Sequence, residues 1–221
     1  MTTITSWPDT IITAITHLSS IDPVMDSAIA QVGPCTLAPN PDIFEALVDA
    51  IISQQISVKA ADAIVARVRA ATVNGVITPE ALVPFDFDAL RALGLSTPKA
   101  RYIHNLVQQV TSGQLDLTRL AELDDETVIE QLVTLKGIGR WTAEMILIFS
   151  LGRTDVLPVD DLGVLEGIRE AYGLPVRPTR KEVLERGEIW RPYRTFATWY
   201  MWGIRRLNQR NVRERTRIVS L

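Results

Sequence analysis

Cysteine and histidine are nearly absent. Cys35 is the only thiol among 221 residues, and His17 and His104 are the only imidazoles. A lone cysteine excludes an intramolecular disulfide and any all-cysteine metal or iron–sulfur site, and two histidines leave a zinc enzyme short of ligands. No apolar run approaches the ~20 residues that cross a membrane as a helix. The opening Met1-Thr-Thr-Ile-Thr-Ser-Trp7 lacks the basic-then-apolar order of a secretory signal. These absences predict a soluble, cytoplasmic protein whose chemistry runs on carboxylates, hydroxyls, aromatic faces or a cofactor. Core-forming residues are not scarce: 47% of the chain is apolar and 22% charged, the balance of a folded globular protein.

Lysine is also sparse, with only Lys59, Lys99, Lys136 and Lys181. The net charge of −3 hides an asymmetry. Residues 177–221 hold 12 of the 23 basic residues and four acids, a local balance of +8, which leaves −11 for the first 176. The run Arg205, Arg206, Arg210, Arg213, Arg215, Arg217 is most simply a solvated face or tail. Arginine also grips phosphates bidentately, so the same run leaves nucleic acid open as a partner.

The apolar pattern is helical throughout. Ile43, Ala46, Leu47, Ala50 and Ile51 form a buried stripe over 42–54, with Asn40-Pro41 as a start signal. Ser57 caps a helix to about Ala71. Asp88–Leu93 stops at Gly94, and Thr97-Pro98 opens a helix to about Thr111, with proline where its missing N–H costs nothing. Further helices are predicted over 125–135 behind Asp124, over 140–151, over 161–172 behind Asp160 or Asp161, from Pro178-Thr179, and from Pro192. With no alternating strand pattern, the fold class is all-α, roughly ten helices joined by short loops.

Three segments carry the functional signal. Leu135-Lys-Gly-Ile-Gly-Arg-Trp-Thr142 is a hairpin between helices whose glycines permit a tight turn and whose amides, at a helix N-terminus, suit an anion such as a DNA phosphate. Taken alone, Gly-x-Gly is more often a helix stop followed by a sharp turn. Asp160-Asp161 begins a helix, and as a bare pair is a good N-cap. Trp190 through Trp202 is dense in aromatics, which more often make core than binding site; Trp199 and Trp202 lie one turn apart.

In this order, together with Ala50-Ile-Ile-Ser-Gln-Gln-Ile-Ser57 and Leu90-Arg-Ala-Leu-Gly94 with Lys99-Ala100, these segments resemble the helix-hairpin-helix DNA glycosylases of the AlkA type. The resemblance spans about 50 to 202. It implies a two-lobed helical core with a cleft between lobes 41–152, containing the helix-hairpin-helix 125–151, and 1–40 plus 153–221. The N-terminal β domain of larger members is not expected.

The resemblance implies a monomeric base-excision-repair enzyme acting on double-stranded DNA with alkylated purines, nucleoid-associated if bacterial. It makes Asp161 the catalytic aspartate beside the sugar C1′, where a carboxylate stabilises a developing oxocarbenium ion. Asp160 falls to helix capping. Trp141 and Trp202 offer faces to an extruded base, and a cationic alkylpurine over indole is a cation–π contact. Met145 and Glu144 take wall positions where the AlkA type has tyrosine and asparagine, so substrate range does not transfer. Gln55 stands at the wedge position, where the AlkA type has leucine, with Ile56 as the neighbour able to intrude instead. Gly137, Gly139 and Arg140 face the phosphate. No cofactor is required; a structural Na+ or K+ is expected on the main-chain carbonyls of Val133, Leu135 and Ile138. Strand-cutting members carry a Schiff-base lysine where Trp141 stands, so a monofunctional enzyme is expected. The alternative is a non-catalytic helix-hairpin-helix DNA-binding protein.

Overall fold

The computed structural model describes the backbone of residues 6–219 and the side chains of 6–211. Arg213, Arg215 and Arg217 of the basic run therefore have side chains outside the described residues. Among the described residues there are helices and turns and no strand. The helices are α1 (Trp7–Ile21), α2 (Pro23–Val32), α3 (Ile43–Ser53), α4 (Val58–Ala71), α5 (Pro79–Leu82), α6 (Phe87–Ala92), α7 (Thr97–Thr111), α8 (Asp125–Val133), α9 (Arg140–Phe149), α10 (Leu162–Ala171), α11 (Arg180–Gly187) and α12 (Arg194–Val219). None is long and apolar enough to cross a membrane.

Most boundaries are set by side chains that satisfy the free amides of a first turn. Asp42 caps α3 through the Glu45 N–H at 2.9 Å, and Asp124 caps α8 through Thr127 at 3.0 Å. Thr179 and Glu182 cap α11 reciprocally. The last helix begins at Arg194 rather than Pro192, because the Tyr193 N–H turns back to the Trp190 carbonyl at 2.8 Å.

Pro39–Leu151 forms one compact unit; the described chain before and after it forms the other. In the first, α3 buries Phe44, Leu47, Val48, Ile51 and Ile52, α7 buries Ile103 and Leu106, and α9 buries Ile146, Leu147 and Ile148. In the second, Leu18, Met25, Val164, Ile168, Trp190, Phe196 and Tyr200 make the core. Burying an aliphatic side chain of this kind contributes about 1.5–3 kcal/mol.

Asp22 organises the second unit. It ends α1 and caps α2, accepting the Val24 and Met25 amides at 3.0 and 3.3 Å, the Trp190 indole N–H at 3.1 Å and the Tyr172 hydroxyl. Burial alone would raise its pKa, but these hydrogen bonds outweigh it and hold the carboxyl below the usual range. In the same unit α10 and α12 approach with almost no side chain between them. A Cβ on Gly167 would stand 2.2 Å from the Met201 carbonyl oxygen.

Candidate active site and nucleic-acid interface

The hairpin between α8 and α9 is anchored by its apolar residues. Leu135 and Ile138 are buried, and the Leu135 and Ile138 amides turn back to the Leu132 and Leu135 carbonyls at 3.1 and 3.0 Å. Gly137 takes φ +90°, and a Cβ there would lie 2.3 Å from the Tyr102 ring, so both conformation and space demand glycine. Gly139 is the N-cap of α9 and supplies no side-chain cap. A Cβ at Gly139 would meet nothing within 4 Å, so the start of α9 is open to an approaching group. An anion suits that position.

Arg140 and Glu144 are tied to each other. The Arg140 Nε donates to Glu144 at 3.2 Å, and its Nη atoms donate to Glu126 at 3.0 and 2.5 Å. Hydrogen bonding to Glu126 raises the guanidinium pKa, and the same contact lowers that of Glu126. Glu144 is buried, Met145 next to it is half-buried, and Trp141 leaves 51% of its surface exposed.

Between α3 and α4 the chain makes a sharp exposed turn. Gln55 has φ 57°, a left-handed conformation uncommon for a residue with a side chain, and it is exposed; Ile56 is 37% exposed. Ser57 then caps α4 through the Ala60 amide at 3.3 Å.

Asp161 is the N-cap of α10. Its Oδ1 accepts the Val164 N–H at 2.7 Å and the Trp202 indole N–H at 2.8 Å. The capping role expected of Asp160 therefore belongs to Asp161, because only Asp161 sits where its side chain reaches the N3 amide. Asp160 is exposed and pairs with Arg180.

Two features of this site escape a reading by residue type. Trp202 is not only a ring but a donor to Asp161. Gly163 makes that bond possible: its Cβ would stand 2.9 Å from Trp202 Cδ1 and 3.0 Å from Asp161 Oδ1. The sequence signal for both is the pair Gly163 and Gly167, one turn apart on the α10 face that meets α12.

Within the described part of the basic segment, several arginines are paired inside the protein. Arg191 and Arg194 hold Asp155 at 2.6 and 2.7 Å, Arg177 pairs with Glu166, and Arg205 with Glu170. Arg206 lies over the Trp199 ring at 5.8 Å. Among the described residues no cluster of His, Cys, Asp and Glu is arranged to hold a metal ion.

The chain matches the family described as HhH-GPD superfamily base excision DNA repair protein over residues 48–192. It is 40% identical over 206 residues to DNA-3-methyladenine glycosylase 1 of Schizosaccharomyces pombe, covering 89% of this chain and 90% of that protein. The solved structure of the S. pombe 3-methyladenine DNA glycosylase in complex with abasic DNA is similar with a TM-score of 0.74 at 40% identity, covering 86% of this chain and 95% of that chain. That of the Bacillus halodurans DNA-3-methyladenine glycosidase gives 0.80 at 38% identity, covering 87% and 88%. With the match extending over most of its length, this chain belongs to the HhH-GPD superfamily of base excision DNA repair proteins.

Proposed function

We propose that the protein hydrolyses the N-glycosidic bond of alkylated purines flipped out of duplex DNA and leaves an abasic site. It is a DNA glycosylase of base excision repair, and monofunctional in this reading. The observation that carries the chemistry is the carboxylate of Asp161, held at a helix start by two donors on one oxygen. As the C1′–N bond lengthens, positive charge grows on the sugar, and a fixed carboxylate stabilises it without reorganising. Water adds its oxygen to C1′ and releases a proton. An N3- or N7-alkylated purine is cationic while attached and leaves as a neutral base, so no general acid is required.

The remaining roles follow the resemblance. Gln55, with Ile56 beside it, fills the gap in the stack; its exposed, left-handed turn supports this. The Trp141 and Trp202 faces receive the base, with Met145 and Glu144 shaping the wall. The Gly137 and Gly139 amides take a phosphate, and Arg140, oriented by Glu126 and Glu144, reaches it by exchanging the exposed Glu126 for the phosphate oxygens. A sodium or potassium ion on the Val133, Leu135 and Ile138 carbonyls is carried by the resemblance; Val133 ends α8, where the last carbonyls of a helix lack intrahelical partners, while the Leu135 carbonyl would share the ion with the Ile138 amide that it accepts at 3.0 Å. It would hold the shape of the hairpin and take no part in bond cleavage. One chain supplies every residue named, so a monomer suffices, acting in the cytoplasm, and at the nucleoid if the cell is a bacterium.

The test is release of free base. Methylated duplex DNA incubated with the protein is expected to yield 3-methyladenine and 7-methylguanine, resolved by chromatography. Tight DNA binding with no base released would overturn the catalytic reading in favour of a binding protein.

A further inference from the structure

Lys99 is buried, on a helix that supplies no residue to the chemistry above, and its ammonium is aimed at main chain. Nζ donates to the carbonyls of Ile52 and Gln54, each at 2.7 Å. Those carbonyls close the C-terminal end of α3, where a cation is favoured by the helix dipole and by carbonyls that have lost their helical partners. Gln54 continues the connection, because its side-chain Nε2 donates to the carbonyl of Gly137 at 2.7 Å. On the other side of that glycine lies Tyr102, three residues along α7 from Lys99. One helix therefore grips the turn that carries Gln55 and also backs the hairpin.

We infer that Lys99 and Gln54 are positioning residues that latch the Gln55 turn to the hairpin, so that plug and phosphate site meet the duplex at a fixed separation. The inference rests on the plug role given to Gln55. The plug must enter the stack while the hairpin holds the backbone, and an error of about 1 Å in such a placement is costly. Gln55 sits in a backbone conformation that its own side chain disfavours, so its neighbours must hold it there. The two carbonyls bonded to Lys99 belong to Ile52 and to Gln54, which directly precedes Gln55, and the Gln54 amide ties the same segment to the hairpin. Neither Lys99 nor Gln54 touches DNA in this scheme.

The test uses the full chain and two duplexes, one undamaged and one with a tetrahydrofuran abasic analogue opposite 2-aminopurine. Wild-type protein is expected to prefer the abasic duplex and to change the 2-aminopurine fluorescence as the plug enters. Gln54→Glu keeps the shape and suits the nearby ammonium, but it offers Gly137 no donor. It should lose roughly three- to tenfold of the abasic preference, the worth of one hydrogen bond, with a muted fluorescence change. Affinity for the undamaged duplex and melting temperature should stay near wild type. Gln54→Lys, which restores a donor, should recover part of the preference. Lys99→Arg should keep it, and Lys99→Met should lose it with a larger fall in melting temperature.

Gln54→Glu with full abasic preference and full fluorescence response overturns the latch. So does an equal loss on both duplexes that follows a fall in melting temperature. A wild-type protein with no abasic preference overturns instead the glycosylase reading beneath it.

Discussion

The indole N–H of Trp202 donates to Asp161 at 2.8 Å, joining the last helix to the first turn of α10. The contact fixes the plane of the carboxylate on which the proposed chemistry depends. It also gives Trp202 two separable functions, since its edge serves Asp161 while its faces can take a base.

Asp161→Asn keeps an oxygen that can accept from both Val164 and Trp202, so the fold should survive. The developing charge on the sugar then meets a neutral amide. Base release is expected to fall by at least about a hundredfold, with abasic-site binding and melting temperature close to wild type. An Asn variant that excises alkylpurines at near wild-type rate would sink the assignment.

Gly163→Ala sets helix propensity against geometry. Alanine is the better helix former, though in the first turn it gains less than the ~1 kcal/mol of a helix interior, and its methyl would lie 2.9 Å from the Trp202 ring and 3.0 Å from Asp161 Oδ1. Activity should drop roughly tenfold or more with only a modest change in thermal stability, because a small misplacement of a catalytic group is expensive. Undiminished excision would show that the two side chains can shift without consequence.

Trp202→Phe and Trp202→Ala together separate edge from face. Phenylalanine lacks the N–H and keeps a weaker face, so both lesions should suffer through Asp161, the charged one somewhat more. Alanine removes the face too and should cost a further five- to thirtyfold on cationic 3-methyladenine or 7-methylguanine, corresponding to ~1–2 kcal/mol of cation–π stabilisation. If alanine depresses a neutral lesion just as much, with a large fall in melting temperature, packing explains the loss and stacking does not.

Borohydride trapping tests the product. By the resemblance, Trp141 stands where strand-cutting members carry the Schiff-base lysine, so no covalent enzyme–DNA adduct should form, and strands should break only after alkali. A trapped adduct would point to Lys136, exposed on the hairpin.

Helix starts were legible wherever a short polar side chain caps its own helix. Ser57 before α4 and Asp161 before α10 are local chemistry that a single sequence displays. The α1–α2 pair is harder to see, because Asp22 ends one helix and starts the next with no loop between. The site divides the same way. The hairpin glycines, the tryptophans and the acid pair stand out by type and spacing. The Trp202–Asp161 bond, the clearance at Gly163 and the grip of Lys99 on α3 exist only once helices distant in sequence are brought together. The arginine run shows the same limit: a count of charges does not reveal that Arg205 pairs with Glu170 or that Arg206 lies over the Trp199 ring.

Asp49, on α3, gives a pH signature. Its Oδ1 is buried without a hydrogen-bond partner, and burial, with Glu45 nearby, pushes the carboxyl up to about 6. The folded protein then keeps a proton that the unfolded chain releases near the ordinary value of 3.8. Stability from this group is present below that value and lost as pH rises toward about 6. Such a rise corresponds to at most about 3 kcal/mol, and water at this half-buried site screens it to about 1 kcal/mol. Asp49→Asn should therefore raise the melting temperature by about 2–4 °C near neutral pH and hardly at all near about pH 4. Equal effects at both would place the strain elsewhere.

The unit that carries Asp161 is assembled from both ends of the described chain, and this sets a clock during synthesis. Asp22 meets Trp190 across 168 residues, and the Gly33 carbonyl meets the Tyr200 hydroxyl across 167. At ~5–20 residues per second, α1 and α2 leave the ribosome on the order of ten to thirty seconds before α12 can cover them. Pro39–Leu151 has all its own helices out well before then. The apolar faces of Leu18, Met25 and Ala28 are thus the last to be sheltered, and the unit that holds Asp161 is the one left open to aggregation for longest while the chain is being made.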